Sequence, residues 1–495
     1  MSSQVLYRIF TSRHRWLATL ALCAALAAGV GYLLAEFGPL IAGAGLVALF
    51  LGLWMLHDIE VAYWTVIGVV CLLPFASFPF EIGFTPTFLD AALGALFLIW
   101  ALQIATGAQQ EFIGTPLGLP IAVFMLLAVG SFVFGLAHAP LTSYVLRHFA
   151  EILLSVALFF LVVNTVRDAR RLRRIVRALI LCAFAAAALG VALYIIADQV
   201  SDELVIRALS ALGRLGYPTG PGVLRYIRDD PQLPLRATST SVDPNVLGSL
   251  LNLTLGIGVP QLFAQRPLIP RRYLVPMLGV MALCLGLTIS RGSLVGVGGA
   301  LAVVATLRYR KLWLLLLVAL ALLLLLPQTQ DYVAHFVQGV RGEDLATRMR
   351  FGEYKDALIL IGRYPWLGVG FAGSPDIDTY IGVANVYLLI AEEMGLVGLT
   401  GFLVVMGVFF ARFWRTRYYR TPHYVGGLTP GLAAADPELE PLWWGLHASI
   451  VGALVGGIFD HYFFNLDFHH SVTLFWLVVG LATAATEMIR QWAEK

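Results

Sequence analysis

Long apolar runs separated by short polar segments make up most of this chain. Each run is long enough, or nearly so, to cross about 30 Å of hydrocarbon as a helix. They lie near 16–35, 39–56, 61–79, 88–105, 117–136, 149–165, 178–198, 244–263, 273–290, 293–307, 312–327, 386–411, 442–459 and 471–489. This pattern predicts an all-α polytopic membrane protein with about 14 transmembrane helices. An even number of crossings places both termini on the same side.

Composition supports this interpretation. The chain is 59% hydrophobic and 13% charged, whereas soluble domains are about 25% charged. Since no long polar stretch could form a separate soluble domain, residues 1–495 are interpreted as one membrane domain, with lipids as neighbours. The net charge of +3 is too small, and too scattered, to indicate a nucleic-acid partner. The four cysteines lie within apolar runs, so we expect no disulfides.

Lysine and arginine positions predict the orientation. With the amino terminus in the cytoplasm, 21 of the 33 basic residues fall in inner loops. Short loops follow the positive-inside rule, whereas long loops cross the membrane regardless of charge. We therefore predict that both termini are cytoplasmic. The remaining twelve basic residues lie at the outer side: Arg147, Arg207, Arg214, Arg225, Arg228, Arg236, Arg291, Arg341, Arg348, Arg350, Lys355 and Arg363.

The outer loops at 199–243, 328–385 and 460–470 are the candidate active site. Arg236 precedes Asp243-Pro244, a typical helix start, and Arg291 lies in a tight turn between two spans. Two arginines held on separate turns suit a pyrophosphate, which arginine binds through paired hydrogen bonds. The alternative is that each arginine only extends toward lipid headgroups.

The loop at 328–385 contains apolar residues at helical spacing after Arg348. This spacing predicts an amphipathic helix along the membrane, with Arg348, Arg350, Glu353 and Asp356 facing water. A turn at 365–370 follows, and Asn385 then begins the next span.

These elements resemble the O-antigen ligase and O-antigen polymerase superfamily. The resemblance covers about residues 236–400, and its motifs occur in the family's order. They are Arg236 with Asp243-Pro244-Asn245, Ser290-Arg291, Arg348, Tyr364 to Gly370, Asn385 to Leu389, and Glu393 to Gly398.

The resemblance implies a type C membrane glycosyltransferase in the bacterial plasma (inner) membrane, acting at its outer face. Such enzymes take a glycan from an undecaprenyl-pyrophosphate donor and pass it to a glycan or glycolipid acceptor. No nucleotide sugar and no cofactor are implied. Arg236 and Arg291 match the family's pyrophosphate-binding arginines, and Arg348 matches the arginine that begins the large-loop helix. Because preorganised arginines can stabilise the leaving group, we expect no metal.

One residue departs from the family pattern. Ligases carry a functional histidine at the position of Ala384, which leaves the acceptor-activating base unassigned. We select His461 as the hypothetical base, with Glu353 and Asp356 as alternatives. The polar segment around His461 could also be a plain interfacial loop, or a metal site of His461, Asp467, His469 and His470, which is less favoured because their spacing fixes no geometry. A divergent polymerase remains an alternative to a ligase.

Two other classes of protein are considered. A transporter or flippase for lipid-linked oligosaccharides usually carries ionisable groups near mid-bilayer, and Asp and Glu are nearly absent from the span centres here. Glu151, beside Arg147 and His148 at a helix end, could serve either function. A catalytically inactive scaffold of envelope assembly is the third possibility, and Ala384 favours it.

Overall fold

The computed structural model describes residues 50–493 apart from 82, 108, 110, 228–229, 326–329, 331–344, 374–378, 380–381 and 418–438. It also describes isolated positions before residue 50. The chain divides into two compact units, Met1–Ala62 and Tyr63–Lys495, and all loops discussed below belong to the second. The predicted span at 16–35 and most of the span at 39–56 lie outside the described residues. The prediction of a single membrane domain stays a prediction.

The predicted all-α polytopic membrane fold is confirmed. Because nothing else in hydrocarbon can pair the backbone N–H and C=O groups, apolar runs of this length form helices. The named helices are α1 (Ile59–Leu72), α2 (Phe88–Ala105), α3 (Gly118–Gly135), α4 (Ser143–Thr165), α5 (Ala169–Gln199), α6 (Asp202–Ser210), α7 (Pro244–Gly258), α8 (Arg271–Thr288), α9 (Arg291–Leu307), α10 (Leu312–Leu325), α11 (Leu345–Arg363), α12 (Val386–Arg417), α13 (Leu439–Gly456) and α14 (His469–Ala493).

Within the described part of the chain, eight helices are long and apolar enough to cross a membrane. Three shorter apolar helices also occur, Ile59–Leu72, Arg291–Leu307 and Leu312–Leu322. Nearly every predicted run after residue 60 therefore coincides with a helix, while the total of about 14 crossings stays a prediction.

Two of the predicted helix starts are formed as the sequence indicates. Asp243 caps α7, because its Oδ1 accepts from the backbone N–H groups of Asn245 at 2.7 Å and Val246 at 3.2 Å. Asn385 caps α12 in the same way, and its Oδ1 accepts from Tyr387 and Leu388. These side chains satisfy N–H groups that a helix leaves unpaired at its first turn.

The centre of the second unit is a close packing of α7, α9 and α13, which contact one another along their lengths. Asn252 of α7 donates through Nδ2 to the carbonyl of Gly452 on α13 at 3.0 Å. A Cβ atom at Gly452 would lie 2.7 Å from Asn252 Oδ1 and 2.9 Å from the carbonyl oxygen of Gly296 on α9. Only glycine therefore permits this approach of the three helices.

The loops at the predicted outer end carry local structure of their own. Strands β1 (Arg225–Tyr226) and β2 (Leu235–Arg236) pair antiparallel, with Arg225 opposite Arg236. This hairpin was not predicted from the sequence. The predicted loop helix is confirmed as α11, which packs against α12.

We predict that Gly452→Leu destabilises the protein by about 1–3 kcal/mol or prevents its accumulation, because the added side chain overpacks the junction of three helices. The matched control is Gly298→Leu in α9, where a Cβ atom would meet no atom within 4 Å. Thermal unfolding of both variants in detergent, followed by tryptophan fluorescence, measures the difference. Equal midpoints would show that the glycine contact does not hold these helices together.

Candidate active site

The loop between α13 and α14 (residues 457–468) lies against the start of α12. The backbone N–H of Val386 donates to the carbonyl of Gly457 at 2.8 Å, and Asn385 Nδ2 donates to the carbonyl of Ile458 at 2.9 Å. Asn385 thus caps α12 with one side-chain atom and holds the α13–α14 loop with the other. The first turn of α12 is fixed to this loop.

The same loop reaches the starts of α7 and α9. Tyr462 donates through its hydroxyl to Oδ1 of Asp243, the cap of α7, at 3.2 Å. A Cβ atom at Gly292, in the first turn of α9, would lie 3.1 Å from Phe459 Cβ and 3.6 Å from Asp460 Oδ2. The amino-terminal ends of three helices therefore converge on one short loop. Their dipoles make this region favourable for negative charge.

Arg236 is half-buried at the edge of this region. Its Nε donates to the carbonyl of Thr288 at the end of α8 (2.8 Å), and its terminal nitrogen donates to Asn245 Oδ1 at the start of α7 (2.7 Å). The guanidinium is therefore fixed between two helix ends. Its positive charge also acts to lower the pKa of Asp460.

Arg291 is the first residue of α9 and is also half-buried. The reversal before it is made by Ile289, which ends α8 in the left-handed region at φ 53°. Since Gly292 lies beside Asp460, Arg291 begins its helix at the α13–α14 loop. Two of the three predicted pyrophosphate ligands, Arg236 and Arg291, are thus placed around the same loop.

Arg348, the third predicted ligand, is exposed on α11. Arg350, two residues further on, is half-buried, and its charge acts on Asp460 and His461. Residues two apart on a helix face nearly opposite sides. The spacing that buries Ala357 and Leu360 also puts Arg350 on the inner face, so helical periodicity could have identified Arg350 from the sequence. The role of Arg348 stays a prediction.

The two proposed bases lie on either side of the peptide segment before α12. Glu353 Oε2 accepts from the backbone N–H of Ala384 at 3.1 Å, and His461 Nδ1 lies 3.0 Å from the carbonyl oxygen of Val383. The expectation that Glu353 faces water therefore does not hold. Both side chains thus contact the peptide bond between Val383 and Ala384, and Ala384 is the position at which ligases of the resembled family carry their histidine. Asp356, the other alternative base, is half-buried on the same helix.

Burial shifts the pKa values of two side chains of the α13–α14 loop, Asp460 and His461. It raises the pKa of Asp460 to about 7, although Arg350 and Arg236 act in the opposite direction. It lowers the pKa of His461 below its usual value, so the imidazole is neutral at pH 7. Because a carbonyl oxygen can only accept, the proton of neutral His461 lies on Nδ1. Nε2 then carries the lone pair that a general base needs.

Part of the chain matches a known protein family. Residues 276–403 match the family model described as O-antigen ligase. The match extends from α8 into α12 and includes Arg291, Arg348, Glu353 and Ala384, while Arg236 and His461 lie outside it. It confirms the resemblance and supports a membrane glycosyltransferase of O-antigen ligase or polymerase type. No curated protein matches the chain significantly.

We predict that the stability of the protein depends on pH, because the pKa of Asp460 is raised. Its pKa is about 7 in the folded protein against 3.8 ordinarily, so between about pH 4 and 7 the folded state keeps a proton that the unfolded chain has lost. Stability should therefore fall as pH rises through this window. Asp460→Asn should make stability less dependent on pH in this window. Thermal unfolding midpoints, measured at several pH values between about 4 and 7, test this. Glu203→Gln, an exposed substitution, should leave the pH dependence unchanged. If Asp460→Asn showed the same dependence of midpoint on pH as the wild-type protein, the effect could not be assigned to Asp460.

Proposed function

We propose that this chain, which matches O-antigen ligases over residues 276–403, transfers a glycan from a polyprenyl-pyrophosphate donor to an acceptor hydroxyl. The proposed site is the outer face of a bacterial plasma membrane, with both termini in the cytoplasm. The observation that carries the proposal is the convergence of Arg236, Arg291 and three helix starts on the α13–α14 loop. Positive charge held on helix ends beside a membrane suits a lipid-linked anion.

Arg236 and Arg291 are proposed to bind the donor pyrophosphate, joined by Arg350. Arginine pairs with phosphate oxygens through two parallel N–H bonds, and a fixed guanidinium loses little entropy on binding. Asp460 changes how far the positive charge of these arginines is available to the donor. When protonated, it leaves the arginines available to the anion, and when ionised, it competes with the anion. A pKa near 7 makes this competition sensitive to pH.

The proposed reaction is a displacement at the anomeric carbon of the donor. The acceptor oxygen forms the new glycosidic bond while the bond from the anomeric carbon to the pyrophosphate oxygen breaks. The bonding pair leaves with the lipid pyrophosphate, and the arginines stabilise its negative charge. The acceptor proton passes to a general base.

His461 is the proposed base. Its neutral imidazole donates through Nδ1 to Val383 and leaves Nε2 to accept the proton. It lies beside the peptide segment at which ligases of the family place their histidine, although it comes from a different loop. Glu353, bonded to the adjacent Ala384 N–H, is the alternative base.

Transfer assays with a purified lipid-pyrophosphate oligosaccharide test this function. A product longer by repeat units would identify a polymerase, and glycan on a second lipid would identify a ligase. Movement of the donor lipid across the bilayer without any product would contradict the enzymatic proposal and favour a flippase.

Arg291→Ala should reduce transfer by at least about 100-fold, because one preorganised donor to the leaving group is lost. Arg291→Lys should retain part of the activity, since the charge remains without the paired geometry. The control is Arg207→Ala, an exposed arginine of the same outer region that pairs with Glu203. Turnover and donor affinity should be measured together with expression and unfolding midpoint. Wild-type turnover in Arg291→Ala would refute the pyrophosphate role.

His461→Ala should lower the turnover rate about 100- to 10,000-fold while donor affinity stays close to wild type. At saturating donor, the wild-type turnover rate should rise with pH as His461 loses its proton, at a pH below its ordinary pKa. The variant should lack this rise. Glu353→Gln is the matched comparison: a large loss there, with His461→Ala active, would assign the base to Glu353 instead.

A further inference from the structure

A second group of polar side chains lies at the predicted outer end, on α4 and α14. His148 and Glu151 are one turn apart on α4, and His469 is the first residue of α14. Among the described residues, these are the three His, Cys, Asp or Glu side chains whose ligand atoms come close enough to hold a metal ion. Of the four residues considered for a metal site from the sequence, only His469 takes part.

The distances within this group approach those of a metal site. His148 Nδ1 lies 2.9 Å from Glu151 Oε2, and His469 Nδ1 lies 3.4 Å from the same oxygen. All three ligand atoms lie within 4.8 Å of one another. Zinc bonds of about 2.0–2.1 Å in tetrahedral geometry separate ligand atoms by about 3.3 Å. A small rearrangement of side chains would therefore accommodate the ion.

Glu151 and His469 are buried and His148 is half-buried, and the group is incompletely satisfied. Glu151 is 3% exposed and His469 is 4% exposed. Within the part of the chain that the structure describes, both ring nitrogens of His469 lack a hydrogen-bond partner, whereas Glu151 Oε2 and His148 Nδ1 lie 2.9 Å apart and pair with each other. Buried polar atoms are seldom left without a partner, because each costs about 1–3 kcal/mol. One cation would bind a ring nitrogen of His469 together with Glu151 Oε2 and His148 Nδ1.

The surroundings supply partners to the carboxylates. Arg147 Nε donates to the other oxygen of Glu151 at 2.7 Å, and its terminal nitrogen lies 3.1 Å from Asp90 Oδ2 at the start of α2. Such contacts orient a metal ligand. Two carboxylate side chains against one guanidinium favour a cation over an anion at this group.

We propose that His148, Glu151 and His469 bind a divalent transition-metal ion, with zinc the best match. Imidazole nitrogen with carboxylate oxygen suits zinc, whereas calcium and magnesium prefer oxygen ligands alone. The ion would fasten the start of α14 to α4, whose contact is already fixed by Ser155 Oγ and Thr473 Oγ1 at 2.8 Å. Because α14 follows the α13–α14 loop, it would also restrain the segment that carries His461.

Metal titration of the full-length protein in detergent tests the proposal. After treatment with a chelator, the protein should bind about one equivalent of Co²⁺ and show the visible absorption of a tetrahedral site. Zn²⁺ should displace that signal and raise the unfolding midpoint. Absence of saturable Co²⁺ and Zn²⁺ binding in the wild-type protein would overturn the proposal.

Variants locate the ion. His469→Ala and Glu151→Gln should each lower the affinity for Zn²⁺ by more than about 100-fold. Loss of a residue that only hydrogen-bonds a metal ligand typically lowers the affinity by about 10- to 100-fold. The control is His470→Ala, which removes the neighbouring buried histidine that packs against Phe75. It should keep the Co²⁺ spectrum. If His469→Ala fails to fold, His148→Gln provides the same test. Unchanged affinity in the ligand variants would overturn the proposal, as would equal loss in His470→Ala.

Discussion

The α13–α14 loop is the constraint on which the candidate site depends. Its backbone carbonyls accept from the start of α12, Tyr462 holds the cap of α7, and Phe459 lies against Gly292 at the start of α9. Helix starts carry unpaired N–H groups and the positive end of the dipole. By gathering three of them, the loop makes one end of the bundle favourable for an anion before any side-chain charge is counted.

Close packing below the loop makes this gathering possible. Gly452 and Gly296 let α13 and α9 approach to backbone distance, and Asn252 of α7 bonds to the same point. Interhelical contact in a membrane rests on such packing, because lipid gives little hydrophobic drive between helices. The rigid bundle then carries Arg291 at the start of α9 and holds Arg236, from strand β2, between the ends of α8 and α7. A site on helix ends is held more firmly than one built only from long loops.

Much of this arrangement could be predicted from particular residues. Asp243-Pro244 and Asn385 mark helix starts because their side chains cap the first turn, and Arg236 and Arg291 adjoin such ends. The expectation that Arg350 faces water was wrong, although its spacing from buried Ala357 places it on the inner face of α11. The approach of His461 to the position next to Ala384 could not be predicted, because the two partners of that contact, His461 and Val383, are separated by 78 residues and no local rule pairs them.

The sequence alone determined the helices and their starts, because in hydrocarbon each apolar segment must pair its own backbone groups. It also provided the family resemblance through motifs in order. Tertiary structure decided which polar groups meet: Glu353 and His461 before α12, and His148, Glu151 and His469 between α4 and α14. Those contacts depend on how helices pack and rotate. Packing depends on shape across the whole bundle, which a local pattern does not encode.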